Sequence, residues 1–250
     1  MPEIMKVYRE HQPALRFIGK RYTGADGAAG GFTALWDQWF ENGWFDPLEM
    51  TDGAGVIENG YIGLMRCKPE FEYWIGAFLP PDFAVPDGYG FVDLAAADVG
   101  ICWIKAPQGD TGIFEMDEQC AKTVQQSGVG TIRGRDSEDA FVFERYNCPH
   151  FTTPDADGNI VLDYGFYLDD APVGCCQSCG MPFDDGHEDL RSPEDARYCV
   201  HCFADDKFTM PEATVADMVE IGVPHAAAKV GEEAARKYLE DFIPTLNRWR

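Results

Sequence analysis

The chain has 250 residues, of which 45% are hydrophobic and 13% aromatic, enough to bury a core in one large or two unequal domains. Its formal net charge is -23, with 28 acidic and 12 basic side chains over residues 1–170 and 15 and 8 over 171–250. That balance excludes the basic surface a direct nucleic-acid partner requires. No apolar run reaches the roughly eighteen residues of a membrane span, and the start Met1-Pro-Glu-Ile-Met-Lys is charged where a signal peptide is greasy, so a cytoplasmic protein without a membrane partner is expected.

Residues 14–22 are apolar and β-prone and predict a strand. Residues 32–43 set Phe32, Leu35, Trp36 and Phe40 at helical spacing before a glycine stop and predict a helix. Runs 61–66 and 71–79 have strand length and composition with a short polar connection, as in an antiparallel pair, and Pro80-Pro81 closes the unit. The order then returns: a strand over 91–105, a helix across 111–126, and strands over 141–146 and 160–168, offset by about 80 to 90 residues. Two β-α-β-β units predict an α+β fold, an antiparallel sheet with two helices on one face and a cleft where the halves meet. Composition changes at 169–175, which divides the chain into domains over 1–170 and 175–250.

Nine cysteines without an export signal point to metal in a reducing compartment rather than to disulfides. Cys176-Gln-Ser-Cys179-Gly and Cys199-Val-His-Cys202 are two C-x-x-C knuckles at the separation of a four-cysteine zinc site. Four thiolates complete a tetrahedron and leave no open position, so the zinc is expected to be structural. His187 or His201 replacing a cysteine, Cys175 replacing Cys176, and iron replacing zinc are alternatives that spacing leaves open. Cys176 is preferred because it alone has the x-x spacing to Cys179. Beyond the knuckles, Thr214-Val-Ala-Asp217 reads as a capping box opening a helix that holds Met218, and 225–242 as a second helix. Cys-Gln-Ser-Cys-Gly-Met-Pro (176–182), Tyr-Cys-Val-His-Cys-Phe (198–203), Lys-Phe-Thr-Met-Pro (207–211) and the Ile-Pro-Thr-Leu-Asn-Arg-Trp tail resemble a small bacterial zinc ribbon family over 175–250. The resemblance implies little about function beyond zinc, and in that family the loop holding Asp184, Asp185 and Glu188 varies.

On the strand 141–146, alternation puts Val142, Glu144 and Tyr146 on one face and Phe141, Phe143 and Arg145 on the other. A glutamate in so apolar a strand is either an edge residue in water or a carboxylate lining a pocket, because an unpaired buried charge is costly. Arg16-Phe-Ile-Gly19, Tyr61-Ile-Gly-Leu64, Tyr73-Trp-Ile-Gly76 and Phe143-Glu-Arg-Tyr146, with the duplicated pattern, resemble the GyrI-like small-molecule-binding (AraC-type effector-binding) domain over about 5–170. The resemblance implies that Glu144 sits in a ligand cleft. Tyr146 shares its face, and Trp36, Trp39, Trp74, Trp103, Tyr61 and Tyr73 are the aromatic residues expected to wall it, Trp74 and Tyr61 foremost. Such a cleft suits lipophilic cations through charge pairing and cation–π contact.

The leading expectation is a small-molecule binding protein with a structural zinc module, regulatory through a protein partner at the zinc ribbon. Many relatives carry a helix-turn-helix DNA reader, which is not seen in this sequence. One alternative is a hydrolase of strained rings in toxic natural products, with Glu144 and Glu72 as acid and base. Another is a zinc-ribbon adaptor, which would follow if side chains filled the cleft.

Overall fold

The computed structural model describes residues 1–27, 31–49, 60–67, 70–134, 137, 139–169, 174–183 and 190–249. Contacts separate two compact units, Met1–Tyr8 with Gln12–Ala171, and Arg9–His11 with Pro172–Arg250. The fold is α+β. Among the described residues, no helix is long and apolar enough to cross a membrane.

One sheet holds β1 (Glu3–Gln12), β2 (Leu15–Thr23), β3 (Gly60–Arg66), β4 (Glu72–Leu79), β5 (Gly90–Leu94), β6 (Ala97–Pro107), β7 (Phe141–Asn147) and β8 (Asn159–Tyr167). Helices α1 (Thr33–Glu41) and α2 (Asp117–Ser127) follow β2 and β6. The strand order β1-β6-β8-β7-β3-β4-β2-β5 reads the same from either end once β1 is exchanged with β5, β2 with β6, β3 with β7 and β4 with β8. A pseudo-twofold therefore passes between the antiparallel central strands β3 and β7. Each half is a β-β-α-β-β unit, one strand more than the expected repeat.

Only Ala95 and Ala96 join β5 to β6, although the two strands stand six places apart in the sheet. On a flat sheet, spacings of about 4.8 Å would separate them by about 29 Å, whereas the linking Cα steps reach about 11 Å. The sheet must curl, and curling encloses one face, filled by Phe17, Leu64, Phe78, Ile101, Phe143 and Tyr167. The other face carries both helices: Cys120 and Val124 of α2 pack on Cys102, Leu162 and Phe166, and Trp39 of α1 packs with Ile18, Ile75 and Leu79.

The strand expected over 91–105 is thus two strands, β5 pairing with β2 and β6 with β8. The break is invisible in composition because neither alanine is a turn residue. On α1 the deeply buried side chain is Trp39, not a member of the Phe32, Leu35, Trp36, Phe40 stripe, and Phe40 is 59% exposed. Phe32, Trp36 and Phe40 of that stripe instead line a cavity, and Leu35 packs against the core.

In the second unit a hairpin of β9 (Phe203–Ala204) and β10 (Lys207–Phe208) precedes α3 (Val215–Val230) and α4 (Glu232–Phe242). Thr214 and Asp217 form the expected capping box, with the Thr214 N–H donating to the Asp217 carboxylate at 2.8 Å. The first helix does not end before 225: it runs through Pro224, held by the buried Met218, Val219 and Val223, and stops at Gly231, whose φ of +84 suits glycine.

Candidate ligand cavity and metal centre

Glu144 of β7 lies on the helix-bearing face and is 5% exposed. Its Oε1 accepts a hydrogen bond from Tyr164 Oη at 2.7 Å, and its Oε2 accepts from Tyr73 and Tyr146 at 2.8 Å each. Tyr73 Oη in turn accepts from Trp36 Nε1 at 2.9 Å, which ties α1 to the carboxylate. Opposite Glu144 across the pseudo-twofold stands Gly63 of β3. A Cβ there would lie 2.5 Å from Tyr73 Oη and 2.9 Å from Glu144 Oε2, so the glycine makes room for the carboxylate and its donor.

Burial pushes the Glu144 carboxyl above its ordinary value, the three phenols pull it back, and the negative charge of Asp117 adds to the rise. Burial, reinforced by that carboxylate, raises Tyr73, Tyr146 and Tyr164, which keeps them neutral donors.

Beside Glu144 opens a cavity of about 560 Å³. Phe32, Trp36 and Phe40 line it from α1 and its approach, Tyr61, Met65 and Tyr73 from β3 and β4, and Phe114, Tyr146 and Phe151 from the second half. Phe32 stacks on Tyr73 at 4.1 Å, and Trp36 leans on Tyr146 at 4.4 Å between ring centres. Among the described lining residues none is lysine, arginine or histidine.

Glu144, Tyr146, Tyr61, Tyr73 and Trp36 thus meet in one cavity, whereas Trp74 does not join them, Trp39 is core beneath α1 and Trp103 packs against the enclosed-face cluster. On β4, Tyr73 takes the cavity face, so its neighbour Trp74 points to the enclosed face, edge-on to Phe17 at 6.1 Å, with Nε1 donating to Glu72 at 3.1 Å. Glu72 shares that face and is ion-paired with Arg21 at 3.0 Å and Arg66 at 2.8 Å. The sheet therefore separates Glu72 from Glu144, and the acid–base pair of the hydrolase alternative is not assembled. Among the described lining residues the other carboxylate is Asp117, at the first position of α2. Tyr164 and Asp117 carry no signal in the sequence that marks them for this site. The parity of the β4 register against β3 would have favoured Tyr73 over Trp74, had the pairing been known.

The neighbour of Glu144 on the enclosed face, Arg145, donates through Nε to Asp163 Oδ2 at 2.9 Å, and His150 Nε2 lies 2.9 Å from the other Asp163 oxygen. Arg145 is buried there rather than exposed as strand alternation alone would allow.

In the second unit the Sγ atoms of Cys176, Cys179, Cys199 and Cys202 all lie within 4.8 Å of one another. Thiolates about 2.3 Å from a shared tetrahedral ion are about 3.8 Å apart, and the Cys179 and Cys199 sulfurs are 3.9 Å apart. The donor set is all sulfur, which suits a soft, thiophilic metal. Cys175 is outside the cluster, His201 is exposed, and His187, Asp184, Asp185 and Glu188 lie outside the described residues. The turn after the first knuckle needs Gly180, at φ +76, where a Cβ would meet the Phe242 ring at 2.8 Å. The C-terminal tail closes over the same knuckle: Trp249 Nε1 donates to Ser178 O at 2.8 Å, and Arg248 donates to Ser178 Oγ at 2.9 Å.

Residues 175–250 match the family described as "Putative zinc ribbon domain", the one their motifs resemble. No curated protein matches the chain. Among solved structures, the chain is similar to a "Putative bacterial transcription regulation protein" from Staphylococcus aureus MU50, at 16% identity and a TM-score of 0.47, over 66% of this chain and 99% of that one. It is similar to SAV2435 bound to tetraphenylphosphonium, at 15% identity and a TM-score of 0.48, over 66% and 94% of the two chains. The integron cassette protein VCH_CASS2 of Vibrio cholerae is similar at 10% identity and a TM-score of 0.39, over 67% and 98%.

Proposed function

We propose that the first unit binds a bulky lipophilic cation in the cavity beside Glu144, and that the second unit folds around one zinc ion held by Cys176, Cys179, Cys199 and Cys202. Glu144 carries the first half of this reading. A carboxylate at 5% exposure, with only neutral phenols around it and no basic residue among the described lining, is a costly arrangement for the empty protein. A cation in the cavity offsets that cost, and each aromatic face presented to it adds about 0.5–2 kcal/mol. Because Oε2 already accepts two phenol hydrogen bonds, the site rewards charge and apolar surface more than N–H donors. Quaternary ammonium and phosphonium ions have that chemistry.

Calorimetric titration of the zinc-loaded chain with tetraphenylphosphonium is the test. Saturable binding is expected, weakened at least about ten-fold by Glu144→Gln, which keeps the shape and removes the charge. Absence of binding, or equal affinity in the variant, overturns the reading. For the metal, elemental analysis should find one zinc for each chain, and a chelator should unfold the second unit, since four thiolates leave no open position for catalysis. Iron in that site, or a second unit that stays folded after chelation, would show the assignment wrong.

A further inference from the structure

The cavity is lined by two carboxylates, Glu144 and Asp117, and by no basic side chain among the described residues. They differ in depth. Glu144 is at the sheet, 5% exposed and enclosed by phenols, whereas Asp117 is only half-buried, at the first position of α2. The negative charge of Asp117 is felt at both Glu144 and Tyr164, so the two groups act within one electrostatic space. The rest of the lining is predominantly aromatic, with Phe114 and Phe40 partly exposed toward solvent. A monocation seated at Glu144 leaves the outer carboxylate uncompensated inside an apolar wall.

Resting on the cavity reading above, we infer that the preferred ligand carries two cationic centres joined by an apolar spacer, one centre seated at Glu144 and the other at Asp117. The site is the aromatic cavity itself, and the carboxylates mark its inner and outer ends. Asp117 is then a specificity-determining residue: it does not decide whether a cation enters, but which cations are held best.

The experiment uses the zinc-loaded full chain and two matched probe series, α,ω-bis(trimethylammonium)alkanes and alkyltrimethylammonium ions of the same chain lengths. In the wild type, a bis-cation of fitting length should bind more tightly than its monocationic counterpart. Asp117→Asn should weaken that bis-cation about five-fold or more while changing the monocation by less than about two-fold. Glu118→Gln removes the same charge from the same helical turn but outside the lining, and should leave the ratio of the two affinities unchanged. Equal loss for both probes in Asp117→Asn, no loss for either, or an equal change of the ratio in Glu118→Gln overturns the inference. A separate failure is recognisable: if Glu144→Gln leaves monocation binding untouched, or if neither series nor tetraphenylphosphonium binds the wild type, the cavity reading falls and this inference falls with it, whereas tetraphenylphosphonium binding without either series overturns this inference alone.

Discussion

Glu144 and Asp163 are on adjacent strands, β7 and β8, and both are buried, at 5% and 1% exposure. Asp163 faces the enclosed side and meets Arg145 and His150, so its charge is neutralised inside the fold. Glu144 faces the helix-bearing side and meets three phenols, which solvate a charge without cancelling it. A buried charge with an internal counter-ion is a matter of stability, and one with only neutral donors at a cavity wall is the premise of the cation-binding proposal.

The largest effect that tests this contrast belongs to the internal pair. Arg145→Ala leaves the buried Asp163 carboxylate with only the His150 imidazole and should cost about 3–5 kcal/mol by denaturant unfolding, while replacing both members of the ion pair together, Arg145→Met with Asp163→Leu, should recover most of it. If the single variant is neutral, Asp163 is not paired as described. Next is Tyr164→Phe, which removes the donor to Glu144 Oε1 and should cost about 1–3 kcal/mol. That loss should shrink in a Glu144→Gln background, as a double-mutant cycle would reveal.

Glu144→Gln should separate the two carboxylates in the opposite sense, by leaving the ligand-free protein at least as stable as the wild type at pH 8. A destabilisation as large as that of Arg145→Ala would erase the distinction. The pH dependence sharpens it further. The Glu144 carboxyl is raised in the folded chain, so between the ordinary carboxylate range and that raised value the folded state binds more protons than the unfolded one. Its contribution to stability is therefore full at low pH and is lost as pH rises through that window. Affinity for a cation should run the other way, increasing with pH as the carboxylate ionises. Thermal melts and titrations across pH 4–8, compared with Glu144→Gln, check both signs. The smallest effect is expected from Trp74→Phe, which alters the enclosed face and should leave cation affinity within about two-fold.

Much of the first unit was legible along the chain. Alternation in 141–146 and the recurrence of strand, helix and strand pair located most of the sheet, and the phenylalanine-glutamate-arginine-tyrosine run singled out Glu144. The pattern was silent where pairing is long-range. Ala95-Ala96 carries no turn chemistry, yet the chain leaves one end of the sheet there and enters the strand next to the other end. Trp74 and Tyr73 are equally plausible by composition, and a single residue step in a strand exchanges the enclosed face for the cavity face. Tyr164 reaches Glu144 from β8, and Asp117 joins the cavity lining from α2, at separations that no local motif records.

The metal centre shows the opposite case. Two C-x-x-C turns are local structures, so their ligands could be named from spacing, and an all-thiolate set dictates the class of metal. By itself the sequence also determined the α+β repeat, because periodicity and composition act over a few neighbouring residues, whereas alternation alone left Glu144 either at a solvated edge or in a pocket. Tertiary structure alone decided that β3 and β7 meet at a pseudo-twofold, that Gly63 opens the space Glu144 occupies, and that Glu72 is held away on the far face. Those outcomes depend on which strands pair and in what register, a choice made by burying whole faces of the sheet at once rather than by any segment separately.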